Sequence, residues 1–421
     1  MSPTPSPAAA DPHQLRGREG VGQFRRLIAE SLTFPTAPGR PIRAGVEIEF
    51  HTRPVGAPGD RVEYSRLAAI LDHLPDSVST SVEPGGQVEL NGPPDHDLGR
   101  LVARTRSEVA TLREVLCDHG VEVTGGGLDP GRPPRRLLNS SRYRNMEVVF
   151  DRLGPAGRLM MNNTASFQIT VDPAGDPGEA WSMAHRLGPC LLAASGSSPR
   201  AHPDLPGDEP WHCERHRVWE SVDPSRVGDV SRCGRPMAEA WSRFALEAQV
   251  IEVPATEGGE PVAAPPGLTL RRWITQGFGG TGPTVAEALG HVTTLFPWIR
   301  PRGTLELRMM DAPLSLDPGP LLALAGVLMT RSRLWPEVRE VTQNTQHCWS
   351  LAARCGPAHP LLATALDDLV TLATAELDRT GYPSLGETVR DWWDRGTYRG
   401  GGRNRNRAPL RAMGGGEVPG P

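Results

Sequence analysis

Three short stretches alternate carboxylates with apolar side chains: Gly45-Val46-Glu47-Ile48-Glu49-Phe50, Val82-Glu83-Pro84-Gly85-Gly86-Gln87-Val88-Glu89-Leu90 and Thr304-Leu305-Glu306-Leu307-Arg308-Met309. A period of two is the period of a strand, not of a helix. Side chains at i and i+2 of a strand share one face, about 6.5–7 Å apart. Each stretch therefore carries one apolar and one acidic face. Taken singly, each also reads as a one-sided strand with its glutamates in water. If the three acidic faces converge, they make a carboxylate-lined sheet surface that suits Mg²⁺ and polyphosphate better than it suits a core.

One omission narrows the chemistry further. The chain contains no lysine, so all 45 basic residues are arginine. A Walker A loop, a protein-kinase strand lysine and a Schiff-base amine are thereby excluded. Any phosphate must be handled by arginine, backbone N–H groups and metal ions. The net charge of −4 gives no basic field for nucleic acid. With 421 residues, 38% of them hydrophobic, the chain can bury a sizeable core. No apolar run is long enough to span a bilayer and no signal-peptide core is visible, so the expected location is the cytoplasm, without membrane attachment. The six cysteines lack C-x-x-C pairing and are expected to be reduced. His212, Cys213, His216 and Cys233 match no standard zinc spacing.

Residues 1–12 and 396–421 read as disordered tails around one catalytic domain at 13–395. Helices are expected at about 13–33, 64–74, 98–118, 142–150, 178–194, 318–332, 360–379 and 386–394. Strands are expected at 42–50, 78–82, 87–90, 121–123, 166–171 and 305–309. Glu83-Pro84-Gly85-Gly86 supplies the turn of a hairpin, and residues 196–212 and 254–268 read as loops. Variable helices interleaved with a hairpin indicate an α+β fold with a mainly antiparallel sheet.

Gly277-Phe278-Gly279-Gly280-Thr281-Gly282 formally contains G-x-G-x-x-G, but Pro283 follows at once and the preceding Leu270–Ile274 is too short a strand for a dinucleotide site. A loop beside an active site is the better reading. Asn162-Asn163-Thr164-Ala165-Ser166-Phe167-Gln168 leads into a strand whose polar face, Ser166, Gln168 and Thr170, faces either solvent or a ligand. Arg215 and Arg302 offer guanidinium forks for carboxylate or phosphate, or for surface salt bridges. Arg308 stands out because it shares a face with Glu306. Such a pair fits a metal–phosphate site, with a carboxylate for the cation and a guanidinium for the transferring phosphoryl group.

Six motifs in order carry a resemblance: 45–51, 81–90, 141–147, 160–168, 215–219 with Asp223-Pro224, and 295–308. The series resembles the glutamate–cysteine ligases, in particular the actinobacterial branch that feeds ergothioneine biosynthesis and is related to the plant-type enzymes. The resemblance covers about residues 20 to 395. It implies a glutamine-synthetase-like catalytic fold, an antiparallel cradle backed by helices. It implies ATP-dependent formation of γ-glutamylcysteine from L-glutamate and L-cysteine through a γ-glutamyl phosphate. By position, Glu47, Glu49, Glu83, Glu89 and Glu306 match the Mg²⁺-holding carboxylates. Arg308, with Glu306, matches the catalytic pair at the γ-phosphate. Arg215 and Thr164, Ser166 and Gln168 match regions lining the substrate and nucleotide pocket, and Arg302 is grouped with them. The chain departs from the pattern at Asn162, Asn163 and Ile169–Asp172, which leaves the acceptor amine open. A γ-glutamyl ligase for another amine, and a non-catalytic paralogue that binds nucleotide or amino acid, are the competing readings.

Overall fold

The computed structural model describes residues 14–34, 41–199, 205, 209, 211–255 and 258–396. The tails expected to be disordered lie outside the described residues, apart from Gly396. The alternating stretches do form strands. The main sheet is built from β1 (Ala44–Pro54), β2 (Thr80–Val82), β3 (Val88–Asp95), β4 (Val121–Thr124), β5 (Ser166–Val171), β6 (Ile299–Pro301) and β7 (Leu305–Asp311). Its spatial order is β6-β7-β5-β1-β3-β2, with β4 paired to the C-terminal end of β1. Every pairing in it is antiparallel. The strand at 299–301 is absent from the sequence-based reading, which gives its residues no element of their own.

Alternation sorts each strand into two faces. On β1, Val46, Ile48 and Phe50 are at most 2% exposed, while Glu47 and Glu49 reach the opposite side. The apolar face is covered by the helices Leu98–Asp118, Pro177–Ser195 and Gly319–Thr330. Gly319–Thr330 has buried residues all round, because Pro360–Arg379 and Pro383–Arg395 close over its outer side. Asp97 caps the first of the three covering helices by accepting from the Arg100 backbone N–H, and Asp176 does the same for the second through Glu179.

Three local readings are corrected. The polar run before β5 is not extended: Ala156–Asn163 is a helix, entered from Pro155 and ending where the Thr164 backbone turns extended. Its burial of all but Arg158 comes from tertiary packing, which the Asn pair conceals in the sequence. Leu270–Gln276 is a helix, capped by the Thr269 side chain, not a strand. The Gly-rich loop after it docks against the N-terminal segment, where the Leu15 N–H donates to the Pro283 carbonyl.

The hairpin between β2 and β3 is held closely. The Glu83 N–H donates to Gln87 O at 2.8 Å and the Gly86 N–H to Glu83 O at 2.9 Å. Thr52 Oγ1 of β1 donates to Gly86 O at 2.7 Å. Gly86 has φ +88°, in the region that favours glycine. At Gly85 an added Cβ would lie 2.1 Å from the Asn162 carbonyl oxygen, so the turn can meet the helix end only without a side chain. Gly85→Ala is expected to lower stability by about 1–3 kcal/mol through overpacking, read as a drop in the urea midpoint by circular dichroism. An unchanged midpoint would show that the two segments part readily.

Candidate active site

The polar face of the sheet lines a cleft of about 290 Å³. Glu47, Glu49, Glu83, Glu89 and Glu306 all open onto it, with Arg308, Arg302, Thr164 and Gln168. Strand register explains the convergence. Glu49 of β1 lies directly opposite Glu89 of β3, and Glu47 lies opposite Gln168 of β5. Glu306 of β7 lies opposite Arg300 of β6. Glu83 joins them from the hairpin turn. Glu47 also borders a second cavity of about 200 Å³, at the other end of the face, lined by Arg43, Asn91, Thr170, Asp172 and Thr304.

A bulge presents the arginine. Leu307 pairs with Ile169 and Met310 with Phe167, so Arg308 and Met309 together oppose Gln168. The Arg308 N–H leaves the β5 ladder and donates to Trp298 O at 2.9 Å. Its guanidinium pairs with Glu306 and donates to Gln168 Oε1 at 2.7 Å. Arg300 reaches Glu306 from the other side, at 3.3 Å. Both side chains of that central pair are thus drawn toward their charged forms. Glu306 is held below the usual carboxylate range because the two guanidiniums outweigh its burial. Arg308 is raised because Glu306, Glu49 and Glu47 outweigh its burial.

Glu83, Glu89 and Glu47 show the opposite behaviour. Burial, then the charge of Glu49, pushes Glu83 up to about 7. Burial, then Glu49 and Glu83, pushes Glu89 up to about 8. Glu47 is raised by burial and by Glu306, against the pull of Arg308. Like charges directly opposite on a sheet repel. The face therefore carries more negative charge than Arg300 and Arg308 offset, which is the demand a bound cation would meet. Among the described residues, no three His, Cys, Asp or Glu side chains converge on one point to cage an ion by themselves. Spread carboxylates of this kind suit Mg²⁺, which takes one or two protein carboxylates and completes its shell with water and phosphate oxygens.

Two expected pocket residues do other work. Arg215 does not line the cleft. It is 4% exposed and donates to the carbonyls of Met309 at 3.3 Å and Arg308 at 3.1 Å, behind the bulge, with its guanidinium over Trp219. Ser166 also lies off the cleft surface: its N–H donates to Glu49 Oε2 at 2.7 Å and its hydroxyl accepts from Gln168. Thr164 lines the cleft but turns its hydroxyl to Met160 O. Asn162 and Asn163 spend their amides on the backbone of Arg158, Asp129 and Arg132. Residues without an assigned role from sequence complete the cleft: Gln87, Arg142, Tyr143 and Arg300, with Met146, Met160, Met161, Trp219 and Phe296 as an apolar wall. All of these fall within the six sequence motifs, yet spacing alone gave no reason to prefer one side chain over its neighbour. None of the residues of the Gly277–Gly282 loop lines the cleft. Among the described residues, His212, Cys213 and His216 form no metal-binding cluster: Cys213 donates to Asp311 and His216 stacks on Trp298, and the side chain of Cys233 lies outside the described residues.

The model of the glutamate-cysteine ligase family 2 (GCS2) matches residues 43–389, a span that holds every carboxylate of the cleft. The chain belongs to this family. As a member it is an ATP-dependent carbon–nitrogen ligase. The ligase is 34% identical to glutamate–cysteine ligase EgtA of Mycolicibacterium smegmatis over 361 residues, covering 80% of this chain and 82% of that one. It is 26% identical to the chloroplastic glutamate–cysteine ligase of Nicotiana tabacum, covering 73% of this chain and 61% of that one. Among solved structures it is similar to the glutamate–cysteine ligase of Francisella tularensis in complex with AMP, at 13% identity and a TM-score of 0.49, covering 84% of this chain and 82% of that one. Among the described residues of the ligase, no helix is long and apolar enough to cross a membrane.

The raised carboxylates set the sign of a pH effect. Glu83 and Glu89 bind protons more tightly in the folded chain, so their contribution is present below the unfolded carboxylate range and is lost as pH rises through about 7 and 8. Glu306, shifted down, loses its contribution only in acid. Buried His51 and His291, held neutral, act below the ordinary histidine range. Between about pH 7 and 9 the metal-free ligase is therefore expected to lose melting temperature, and Mg²⁺ binding is expected to release protons and tighten as pH rises. Thermal scans of the wild type beside Glu83→Gln/Glu89→Gln, with calorimetry in buffers of different ionisation enthalpy, check this. A slope that survives the double substitution contradicts the assignment.

Proposed function

We propose that the ligase joins L-glutamate to L-cysteine, forming γ-glutamylcysteine through a γ-glutamyl phosphate. The observation that carries this reading is the row of carboxylates on one sheet face, ended by Arg300 and Arg308, in a member of this family. A carboxylate is not attacked by an amine until one of its oxygens becomes a leaving group. Transfer of the ATP γ-phosphoryl group to the γ-carboxylate of glutamate supplies one and releases ADP. The amine nitrogen then bonds to the acyl carbon, phosphate departs with the C–O electron pair, and the nitrogen loses a proton.

Phosphoryl transfer asks the protein for alignment and charge neutralisation more than for covalent chemistry. Glu47, Glu49, Glu83 and Glu89 are the residues that would hold Mg²⁺, with Glu306 beside them. When bound, the metal would neutralise the charge of the phosphate groups. Arg308, held at the cleft wall by its bulge, would stabilise the charge that develops on the phosphoryl group in transfer. Arg300 holds Glu306 from the neighbouring strand, while Glu306 pairs with Arg308. The apolar wall of methionines and aromatics closes the cleft opposite the charges and limits water access to the acyl phosphate. Likeness to an EgtA enzyme supports ergothioneine synthesis as the use of the product.

Incubation with glutamate, cysteine, ATP and Mg²⁺ is expected to release ADP and γ-glutamylcysteine in equal amounts. AMP in place of ADP, or ADP release that does not depend on cysteine, overturns the reading. Glu47→Gln and Glu306→Gln are each expected to lower kcat by about 10²-fold or more, with far-UV circular dichroism unchanged. A near-normal kcat in either variant removes that residue from the phosphoryl-transfer site.

A further inference from the structure

One neutral side chain touches both signs of charge in the cleft. Gln168 is 4% exposed and sits at the middle of β5, with Glu47 opposite it on β1 and the bulged Arg308 opposite it on β7. Its Oε1 accepts from Arg308 at 2.7 Å. Its Nε2 donates to Ser166 Oγ at 3.0 Å and to Glu49 Oε1 at 3.4 Å. Arginine has donors and no acceptor, so the amide oxygen must be the atom that faces Arg308. The nitrogen is then left for the hydroxyl and the carboxylate. Glu49 is held a second time, by the Ser166 N–H at 2.7 Å.

The amide thus has a fixed direction, acceptor toward the cation and donor toward the anion. Arg308 feels the charges of Glu49 and Glu47 as well as that of Glu306. A guanidinium free to swing would pair with Glu49 and remove that carboxylate from any divalent cation. Gln168 blocks this by giving each of the two charged groups a partner of its own. Buried hydrogen-bond partners of a metal ligand set the orientation of that ligand, which is the role the Nε2 side of this amide has toward Glu49, while its Oε1 side fixes Arg308.

We propose that Gln168 is a positioning residue that partitions the sheet face. It holds Arg308 at the phosphate-facing side and keeps Glu49 free of the guanidinium for a divalent cation. This rests on the reading of the cleft as a Mg²⁺ and ATP site, and it assigns Gln168 a role other than substrate contact.

Two variants separate the two halves of the amide. Gln168→Met keeps the length of the side chain and removes both hydrogen bonds. Gln168→Glu keeps an acceptor for Arg308 and replaces the donor to Glu49 by a further carboxylate. Mg²⁺ binding is measured by calorimetry on each nucleotide-free protein, alongside steady-state kinetics. Gln168→Met is expected to weaken Mg²⁺ binding about tenfold and to lower kcat about 30-fold or more, with KM for glutamate changed by less than about threefold. Gln168→Glu is expected to bind Mg²⁺ more tightly than the wild type while also losing kcat. Opposite shifts of metal affinity with the same loss of kcat are not the signature of a general packing defect. Mg²⁺ affinity that is unchanged, or shifted in the same direction, in both variants overturns the proposal. So does a kcat for Gln168→Met within about threefold of the wild type. If one variant fails to fold, the direction of the Mg²⁺ shift in the other decides. If the wild type forms no γ-glutamylcysteine, the functional reading falls, and the calorimetry still decides the role of Gln168.

Discussion

The structure turns on one electrostatic conflict: Glu49 and Glu89 face each other across adjacent strands, with Glu47 and Glu83 close by. Such a pairing is unfavourable on an ordinary sheet. It persists here because each glutamate alternates with side chains that the core needs. Turning Glu49 away from the cleft would turn Ile48 and Phe50 out of the core, because a one-residue slip of a strand exchanges its faces. The apolar face, with Val46, Ile48, Phe50, Val88 and Leu90 almost fully buried, thereby fixes where the negative charge must sit.

The protein offsets this charge only in part, and unevenly. Arg300 and Arg308 both serve Glu306, at one side of the face. The hairpin side, with Glu83 and Glu89, has a tyrosine, a serine hydroxyl and the more distant Arg142. The result is a graded surface, cationic at β6 and β7 and anionic at β1, β3 and the turn. Some supports of this gradient lie behind the cleft. Arg215 braces the bulge from behind, and Gly85 lets the turn touch the end of the helix at 156–163.

Much of this was legible in the residues. Alternation located β1, β3, β5 and β7, and the missing lysine directed attention to arginine and carboxylates for phosphate chemistry. The five glutamates, Arg308, Arg302, Thr164 and Gln168 do meet in one cleft. Legibility failed where a side chain's neighbours come from distant segments. Arg215 looked like a ligand for substrate and is instead a brace, since nothing local reveals that its partners are the carbonyls of residues 308 and 309. Asn162 and Asn163 lead into the pocket strand, yet their amides tie down backbone: Asn162 that of Arg158 in its own helix, Asn163 that of Asp129 and Arg132, some 30 residues earlier in the chain.

The sequence by itself determined which residues alternate, and so which carboxylates could share a face with one another. It also determined that guanidinium, and no amine of lysine, would oppose them. Only the tertiary structure decided the order of the strands, which sets Glu49 against Glu89 and Gln168 between Glu47 and Arg308. Period-two patterning is a local consequence of backbone pleating, whereas strand neighbours are chosen by the packing of the whole core. The bulge at Arg308 belongs to the second kind. It arises from the count of residues between two pairings with another strand, a quantity that no single strand contains.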